Sequence, residues 1–181
     1  MAKTVVLTGV GRDRVGIVAE VTELLYKLGC NLLDSSMTLL RGEFAIILMV
    51  QLPLSQTLDQ LRGELDTLEQ KMGLNISVRE LDEVELENAV VSGTPHMISV
   101  YGADKPGIVA GITRKLADMG INITDVETKF TDDREKGVFV MILEVILPVE
   151  LPTRAVESAL DEISSGLGVD LSVQALEVYD L

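Results

Sequence analysis

Apolar residues along the first half of the chain follow strand and helix periodicities in a regular order. Short apolar or alternating runs predict strands at 4–8, 31–40, 44–52 and 74–78. Between them, one apolar helical face begins at Ile17, and leucines spaced three and four residues apart begin a second at Leu58. The predicted order is strand, helix, strand, strand, helix, strand.

The second half of the chain repeats this pattern. When the sequence is shifted by 91, residues 11–31 and 102–122 are identical at ten of 21 positions. Beyond a four-residue insertion in 131–137, a shift of 95 continues the match and pairs Gly73 with Gly168. Two repeats of about 90 residues indicate two homologous domains rather than a solenoid.

The element order predicts an α+β fold. Each repeat is expected to form a ferredoxin-like βαββαβ domain, in which two helices cover one face of a four-stranded antiparallel sheet. We place the first domain at 1–82 and the second at 96–181. The acidic segment with Ser-Gly-Thr-Pro at 83–95 is the expected linker.

The third predicted strand of each domain is apolar on both faces. In the first copy, Phe44 and Leu48 serve one face while Ile47 and Met49 serve the other. A sheet with helices on one face normally alternates apolar and polar residues. The second copy repeats the pattern except at Glu144. We therefore expect the open face to be buried against the sister domain or another subunit, and we expect a homodimer.

Composition narrows the class of protein. The net charge of −14 and the lack of a basic run argue against direct nucleic-acid binding, because an acidic surface repels phosphates. The single cysteine excludes an internal disulfide and fits a reducing compartment. We see no signal-peptide pattern, and no apolar run approaches the ~20 residues of a membrane span. The expectation is a cytoplasmic protein that does not bind membranes.

A glycine-rich loop leads into the first helix of each repeat. The loops run from Gly11 to Gly16 and from Gly102 to Gly107. The first turn of a helix leaves backbone N–H groups without partners and carries partial positive charge. Glycine lets an anion approach that end closely. Asp104 stands where a side chain caps the helix or pairs with an ammonium group.

Two asparagines complete the pattern. Asn31 and Asn122 open the next strand, which we expect to return beside the loop. Because an asparagine side chain both donates and accepts hydrogen bonds, it can hold the carboxylate and the ammonium group of one α-amino acid. A small zwitterion such as glycine or serine therefore fits better than a nucleotide. The alternative is structural, with Asp13 and Asp104 capping helices and the glycines forming turns.

The sequence contains no pattern that is typical of a catalytic or metal-binding site. The glycines around Gly11 have the spacing GxGxxxxG, which departs from the dinucleotide fingerprint, and the hairpin order excludes a parallel crossover sheet. His96 has no cysteine or histidine partner and is expected to pack or to lie at the surface. The acidic residues between Glu80 and Glu87 are expected to form a solvated linker. We therefore expect no enzyme activity, no cofactor and no metal.

A family resemblance is carried by the second loop and the helix after it. The residues are Asp104-Lys105-Pro106-Gly107-Ile108-Val109, followed by Leu116, Gly120, Asn122 and Asp125. This sequence closely resembles the signature of the ACT domain. The resemblance implies a βαββαβ regulatory module that commonly binds amino acids, often at an interface between two modules. The first copy departs from the signature at Val15, where proline is usual, and has Arg14 in place of lysine.

The positions that match the ACT signature define the candidate ligand site. They are Gly102, Asp104, Lys105, Gly107 and Asn122 in the second copy, and Gly11, Asp13, Arg14, Gly16 and Asn31 in the first. A stand-alone tandem pair of this length is also similar to the glycine cleavage system transcriptional repressor family. That resemblance implies a protein that senses glycine and acts on a separate DNA-binding activator.

Three functions remain open at this point. The leading hypothesis is a non-enzymatic amino-acid sensor that regulates transcription of amino-acid (glycine) metabolism through a protein partner such as a transcription factor. The second is a detached regulatory subunit of an amino-acid biosynthetic enzyme. The third is a dimerisation module without a ligand. The acidic surface favours action through a protein partner rather than through DNA.

Overall fold

Two compact units, Met1–Ala89 and Val90–Leu181, make up the chain. The structure is a computed structural model that describes residues 3–82, 92–131 and 137–176. The predicted linker at 83–95 lies largely outside the described residues, and so does most of the predicted insertion at 131–137.

The elements follow the predicted order in both units. The first unit contains β1 (Lys3–Arg12), α1 (Ile17–Lys27), β2 (Asn31–Leu40), β3 (Glu43–Leu52), α2 (Leu58–Met72) and β4 (Leu74–Glu80). The second contains β5 (Thr94–Ala103), α3 (Ile108–Asp118), β6 (Asn122–Thr131), β7 (Val138–Leu147), α4 (Thr153–Leu167) and β8 (Val169–Ala175). The predicted α+β fold, with two βαββαβ units, is confirmed.

Each unit contains one four-stranded antiparallel sheet. The strand orders are β2-β3-β1-β4 and β6-β7-β5-β8. The first and third strands of each unit are therefore central, and the second and fourth strands form the edges. This order places the end of the first strand, where the glycine loop begins, beside the start of the third strand.

The core of each unit is aliphatic and lies between the sheet and its helices. In the first unit, alternate residues of the central strands and one face of each helix are buried; they include Val5, Leu7, Phe44, Leu48, Ile17, Val21, Leu61 and Leu65. The second unit repeats this arrangement with Ile98, Val100, Met141, Leu143, Ile108, Ile112, Val156 and Leu160. The low aromatic content therefore produces a core built mainly from aliphatic residues.

The second helix of each unit ends at a glycine. Gly73 follows α2 with φ 68° and Gly168 follows α4 with φ 70°, both in the left-handed region that glycine adopts readily. At its start, α2 carries a capping box, in which Gln60 N–H donates to Thr57 Oγ1 and Thr57 N–H donates to Gln60 Oε1. The capping box fixes where α2 begins, and the two glycines fix where the turn into the last strand begins.

The face of each sheet opposite the helices is partly apolar. Ile47 is 52% exposed on the first sheet, and Tyr101 is 53% exposed on the second. Asp125 and Glu144 face each other on neighbouring strands of the second sheet, which is an unfavourable pairing of like charges. The expected burial of these faces against another domain or subunit stays a prediction.

His96 is a packing residue of the second unit. Its side chain is only 3% exposed, with Nδ1 lying 3.0 Å from Thr94 O and Nε2 lying 2.9 Å from Thr153 Oγ1. Because a carbonyl only accepts, Nδ1 is the donor and the Thr153 hydroxyl donates to Nε2. The bond to Thr153 ties the start of β5 to the start of α4, and the bond to Thr94 lies within β5 and fixes the imidazole ring.

Within the described residues, no helix is long and apolar enough to cross a membrane.

Candidate functional site

The first glycine of each loop lets the first strand pass close to the end of the second helix. A Cβ atom built on Gly11 would lie 2.8 Å from Gly73 O and 2.9 Å from Leu74 Cδ2. A Cβ built on Gly102 would lie 2.9 Å from Val169 Cγ1. Because real Cβ atoms do not approach other atoms this closely, close packing explains why glycine stands at both positions.

The second glycine of each loop is the residue that starts the helix. Gly16 and Gly107 are the N-caps of α1 and α3, with φ of 97° and 98°. These values lie in the left-handed region, where a residue with a Cβ is strained. The equal geometry shows that the turn was duplicated along with the sequence.

The starts of α1 and α3 leave backbone donors without a side-chain acceptor. Both N-caps are glycines, and among the described residues neither Asp13 nor Asp104 accepts a hydrogen bond from the first turn, so the alternative that these aspartates cap the helices is wrong. The N–H groups of the first turn have no acceptor within their own helix. Both loops are exposed, and the helix start adds partial positive charge. Chemically, this arrangement suits a small anion.

The exposed loop cations bond to the end of the second helix. Lys105 Nζ donates to Leu167 O at 3.0 Å, and Arg14 Nη1 reaches Met72 O at 3.5 Å. Each acceptor is a carbonyl of the last residue of its helix, just before the left-handed glycine. Positive side chains are favourable there because the end of a helix carries partial negative charge.

The two loop aspartates have different surroundings. In the first unit, the Asp13 backbone N–H donates to Gly42 O at 2.9 Å, which ties the loop to the turn between β2 and β3. In the second unit, Asp104 lines a shallow surface depression with Ala103, Phe130 and Gly137. The second loop therefore borders a concave surface formed with the end of β6 and the residue before β7.

The asparagines lie at the opposite end of the sheet from the loops, so their expected position beside the loop of the same repeat is wrong. Asn31 shares a row of the sheet with Gln51 and Thr4, whereas Gly11 shares a row with Phe44. Thr4 and Gly11 are seven residues apart on β1, which corresponds to about 23 Å.

The physical reason for this error is the direction of the helix. A helix that follows β1 returns the chain to the other end of the sheet, and β2 starts there. Asn122 has the same placement, since it pairs with Ile146, while Gly102 pairs with Phe139. Within one unit, a small ligand cannot contact both a loop and an asparagine.

Sequence reasoning missed the end of the second helix as part of the loop's surroundings. The carbonyls of Met72 and Leu167 are backbone groups, so no particular residue type in the sequence indicates them. The available signal was the glycine pair Gly73 and Gly168, which recurs at the shift of 95. A repeated glycine after a predicted helix marks a left-handed cap, but not which side chain reaches it.

Comparison with known proteins agrees with this geometry. Residues 3–79 and residues 96–161 each match the ACT domain. The chain therefore belongs to the ACT-domain family, as two such domains in tandem. It is thus an ACT-domain regulatory protein.

Two curated relatives are about as long as one of the two domains. A UPF0237 protein of Clostridium acetobutylicum is 33% identical over 76 residues, which are 41% of this chain and 85% of the relative. A UPF0237 protein of Methanopyrus kandleri is 36% identical over 87 residues, which are 48% of this chain and 92% of the relative.

Two solved structures cover nearly the whole chain. An unknown protein from Galdieria sulphuraria has a TM-score of 0.81 and 29% identity, covering 98% of this chain and 100% of its own. A candidate glycine cleavage system transcriptional repressor has a TM-score of 0.76 and 20% identity, covering 98% of this chain and 99% of its own. The second likeness is one of fold.

Proposed function

We propose that this protein is a non-enzymatic sensor of a small amino acid, such as glycine or serine, and that it acts through a protein partner. The observation that carries the proposal is the pair of exposed helix starts without side-chain caps at Gly16 and Gly107. The ligand's carboxylate accepts hydrogen bonds from the first-turn N–H groups. In the second unit, its ammonium group pairs with the Asp104 carboxylate beside the depression.

The asparagine of each site comes from another copy of the domain. Because Asn31 and Asn122 lie far from the loops of their own units, they contribute only when two domains pair along their second strands. An antiparallel pairing of two β2 strands, centred between Ser35 and Ser36, places Asn31 of one copy opposite Leu40 of the other. Leu40 shares a row with Glu43 and Arg12, where the first loop begins.

A homodimer supplies this pairing. β2 is an edge strand, all ten of its residues are exposed, and Asp34 is its one charged residue. Long uncharged edge strands pair readily with a second strand. With Ser35 and Ser36 at the centre, the two Asp34 side chains do not face each other, so the pairing involves no like-charge contact.

The regulated process is amino-acid metabolism, and the partner is a transcription factor. Support for this part comes from the fold shared over the full length with the candidate glycine cleavage system transcriptional repressor. The net charge of −14 also favours a protein partner over direct contact with DNA. The amino acid shifts the population of two conformations that differ in affinity for the partner.

Calorimetry of the full chain against each of the twenty amino acids tests the sensor. We expect saturable binding of a small amino acid, weakened about tenfold at the first loop by Asn31→Ala, because a hydrogen bond to a charged ligand group is lost. Asn75→Ala, on an edge strand outside the site, is the matched control. No binding by any amino acid would contradict the sensor and leave a dimerisation module. Equal affinity of the two variants would remove Asn31 from the site.

Capture of partners from native lysate, with and without the amino acid that binds, tests the regulatory role. We expect a transcription factor whose recovery depends on the amino acid. Recovery of a biosynthetic enzyme instead would contradict the transcriptional role and favour a detached regulatory subunit.

A further inference from the structure

Among the described residues, the cation at the C-terminal end of α4 comes from the glycine loop and not from the helix itself. Within the described helix, the last turn of α4 contains no basic residue, although a helix end with partial negative charge favours one. Lys105, which lies 62 positions earlier in the chain, places its ammonium group on Leu167 O at 3.0 Å. It also lies against Gly168, since a Cβ built there would be 3.0 Å from Lys105 Nζ.

The first unit differs in the source of the cation at the C-terminal end of its second helix. The last turn of α2 contains its own cation, Lys71. The Lys71 ammonium donates to Glu20 at 2.7 Å, and this hydrogen bond lowers the pKa of the Glu20 carboxyl. Arg14 reaches Met72 O only at 3.5 Å. The loop cation of the first unit is therefore an addition to a helix end that already has a positive charge.

The position of Lys105 has a consequence for the candidate ligand site. Its backbone lies in the loop that leads into α3, while one of the three N–H donors of its ammonium group bonds to a carbonyl of α4. The ammonium group sits on a flexible four-carbon chain, and a carboxylate is a stronger acceptor than a neutral carbonyl. An amino-acid carboxylate at the start of α3 therefore draws the Lys105 ammonium group toward itself and away from Leu167 O.

We propose that the Lys105–Leu167 contact is a latch, by which we mean a hydrogen bond that is present without ligand and is lost when an amino acid binds at the second loop. In the ligand-free protein, Lys105 is a positioning residue that holds the loop to the end of α4. When an amino acid binds, its carboxylate takes the Lys105 ammonium, and the end of α4 loses its cation. This inference rests on the proposed amino-acid site and adds to it the route by which binding changes the turn into β8.

Hydrogen exchange of the full chain, with and without ligand, tests the latch. Lys105→Met keeps most of the side-chain bulk and removes the donors; Lys115→Met removes a positive charge from the last turn of α3 in the same unit. In the ligand-free protein, we expect Lys105→Met to raise the exchange rate of amides 167–169 about twofold to fivefold. We expect Lys115→Met to leave those amides unchanged.

The ligand arm uses glycine and serine as probes, followed by any other amino acid that calorimetry identifies. We expect the bound amino acid to raise exchange at 167–169 in the natural chain and to add nothing in Lys105→Met. Equal exchange of the two variants without ligand would overturn the latch. Binding that leaves amides 167–169 unchanged would overturn the exchange of acceptors while the proposed sensor stands. If no amino acid binds, the sensor and the exchange step both fall, whereas the ligand-free comparison still decides whether Lys105 positions the loop.

Discussion

Single residues of the glycine loops carry out two separable tasks. Gly11 and Gly102 provide space, because the second helix ends against them. Gly16 and Gly107 provide a backbone conformation, because their φ angles near 100° are strained for any other residue. Neither task requires a ligand, so the glycines alone explain a turn. The uncapped donors next to them are what points to binding.

Substituting Gly11 tests the first of these tasks. Gly11→Ala places a methyl group against the backbone at Gly73 and Leu74, so we expect a loss of about 1–3 kcal/mol of stability. Gly63→Ala is the matched control, since among the described residues no atom outside its own helix backbone lies within 4 Å of the added methyl. In the helix interior, this change is expected to stabilise by about 0.5–1 kcal/mol.

Urea unfolding of the two variants, monitored on the first unit, gives the comparison. If Gly11→Ala were tolerated as well as Gly63→Ala, the close approach of β1 to the turn before β4 would be contradicted.

The sequence predicted the turns correctly but not what surrounds them. Spacing locates Gly16 and Gly107 at helix starts, since glycine, helix periodicity and position agree. It does not reveal that the row of Asn31 and the row of Gly11 are about 23 Å apart along the strands, because that separation depends on the direction in which α1 returns the chain. Nor does it reveal the partner of Lys105, which is a backbone carbonyl 62 positions away.

At the scale of elements, the two second strands differ although they occupy the same place. β2 contains one charged residue, whereas β6 contains Asp125, Glu127 and Lys129. Charged residues on an edge strand discourage further pairing. Leu40 is 66% exposed at the end of β2. Of the two second strands, β2 is therefore the one that we expect to pair with a strand of another copy.

A glutamate on β2 tests this role. Met37 is exposed, and in the pairing centred between Ser35 and Ser36 it lies opposite Asp34 of the other copy. We therefore expect Met37→Glu to weaken dimerisation at least tenfold, because it creates two contacts between like charges in the paired edges. Ser77→Glu puts the same charge on β4, the other edge of the same sheet, and is expected to leave the dimer intact. Light scattering over a concentration series measures both variants. A monomeric natural chain, or equal dimerisation of the two variants, would contradict pairing through β2.

For the whole molecule, duplication gave two glycine loops with unequal surroundings. The second loop keeps the full ACT signature, borders a depression with Phe130, and holds its lysine on a helix end with no cation of its own. The first has Val15 at the tip and Arg14 as its cation, beside a helix that already carries Lys71. We therefore expect the second unit to respond more strongly to an amino acid.

Nuclear magnetic resonance titration of the full chain with glycine and serine tests the central claim most directly. The account predicts saturable shifts of the backbone amides of residues 108–110, at the start of α3, with smaller shifts at 17–19 in α1. Those amides are the donors that the ligand's carboxylate is proposed to bind. Saturable shifts confined to other parts of the chain, or no saturable shift with any of the twenty amino acids, would contradict it.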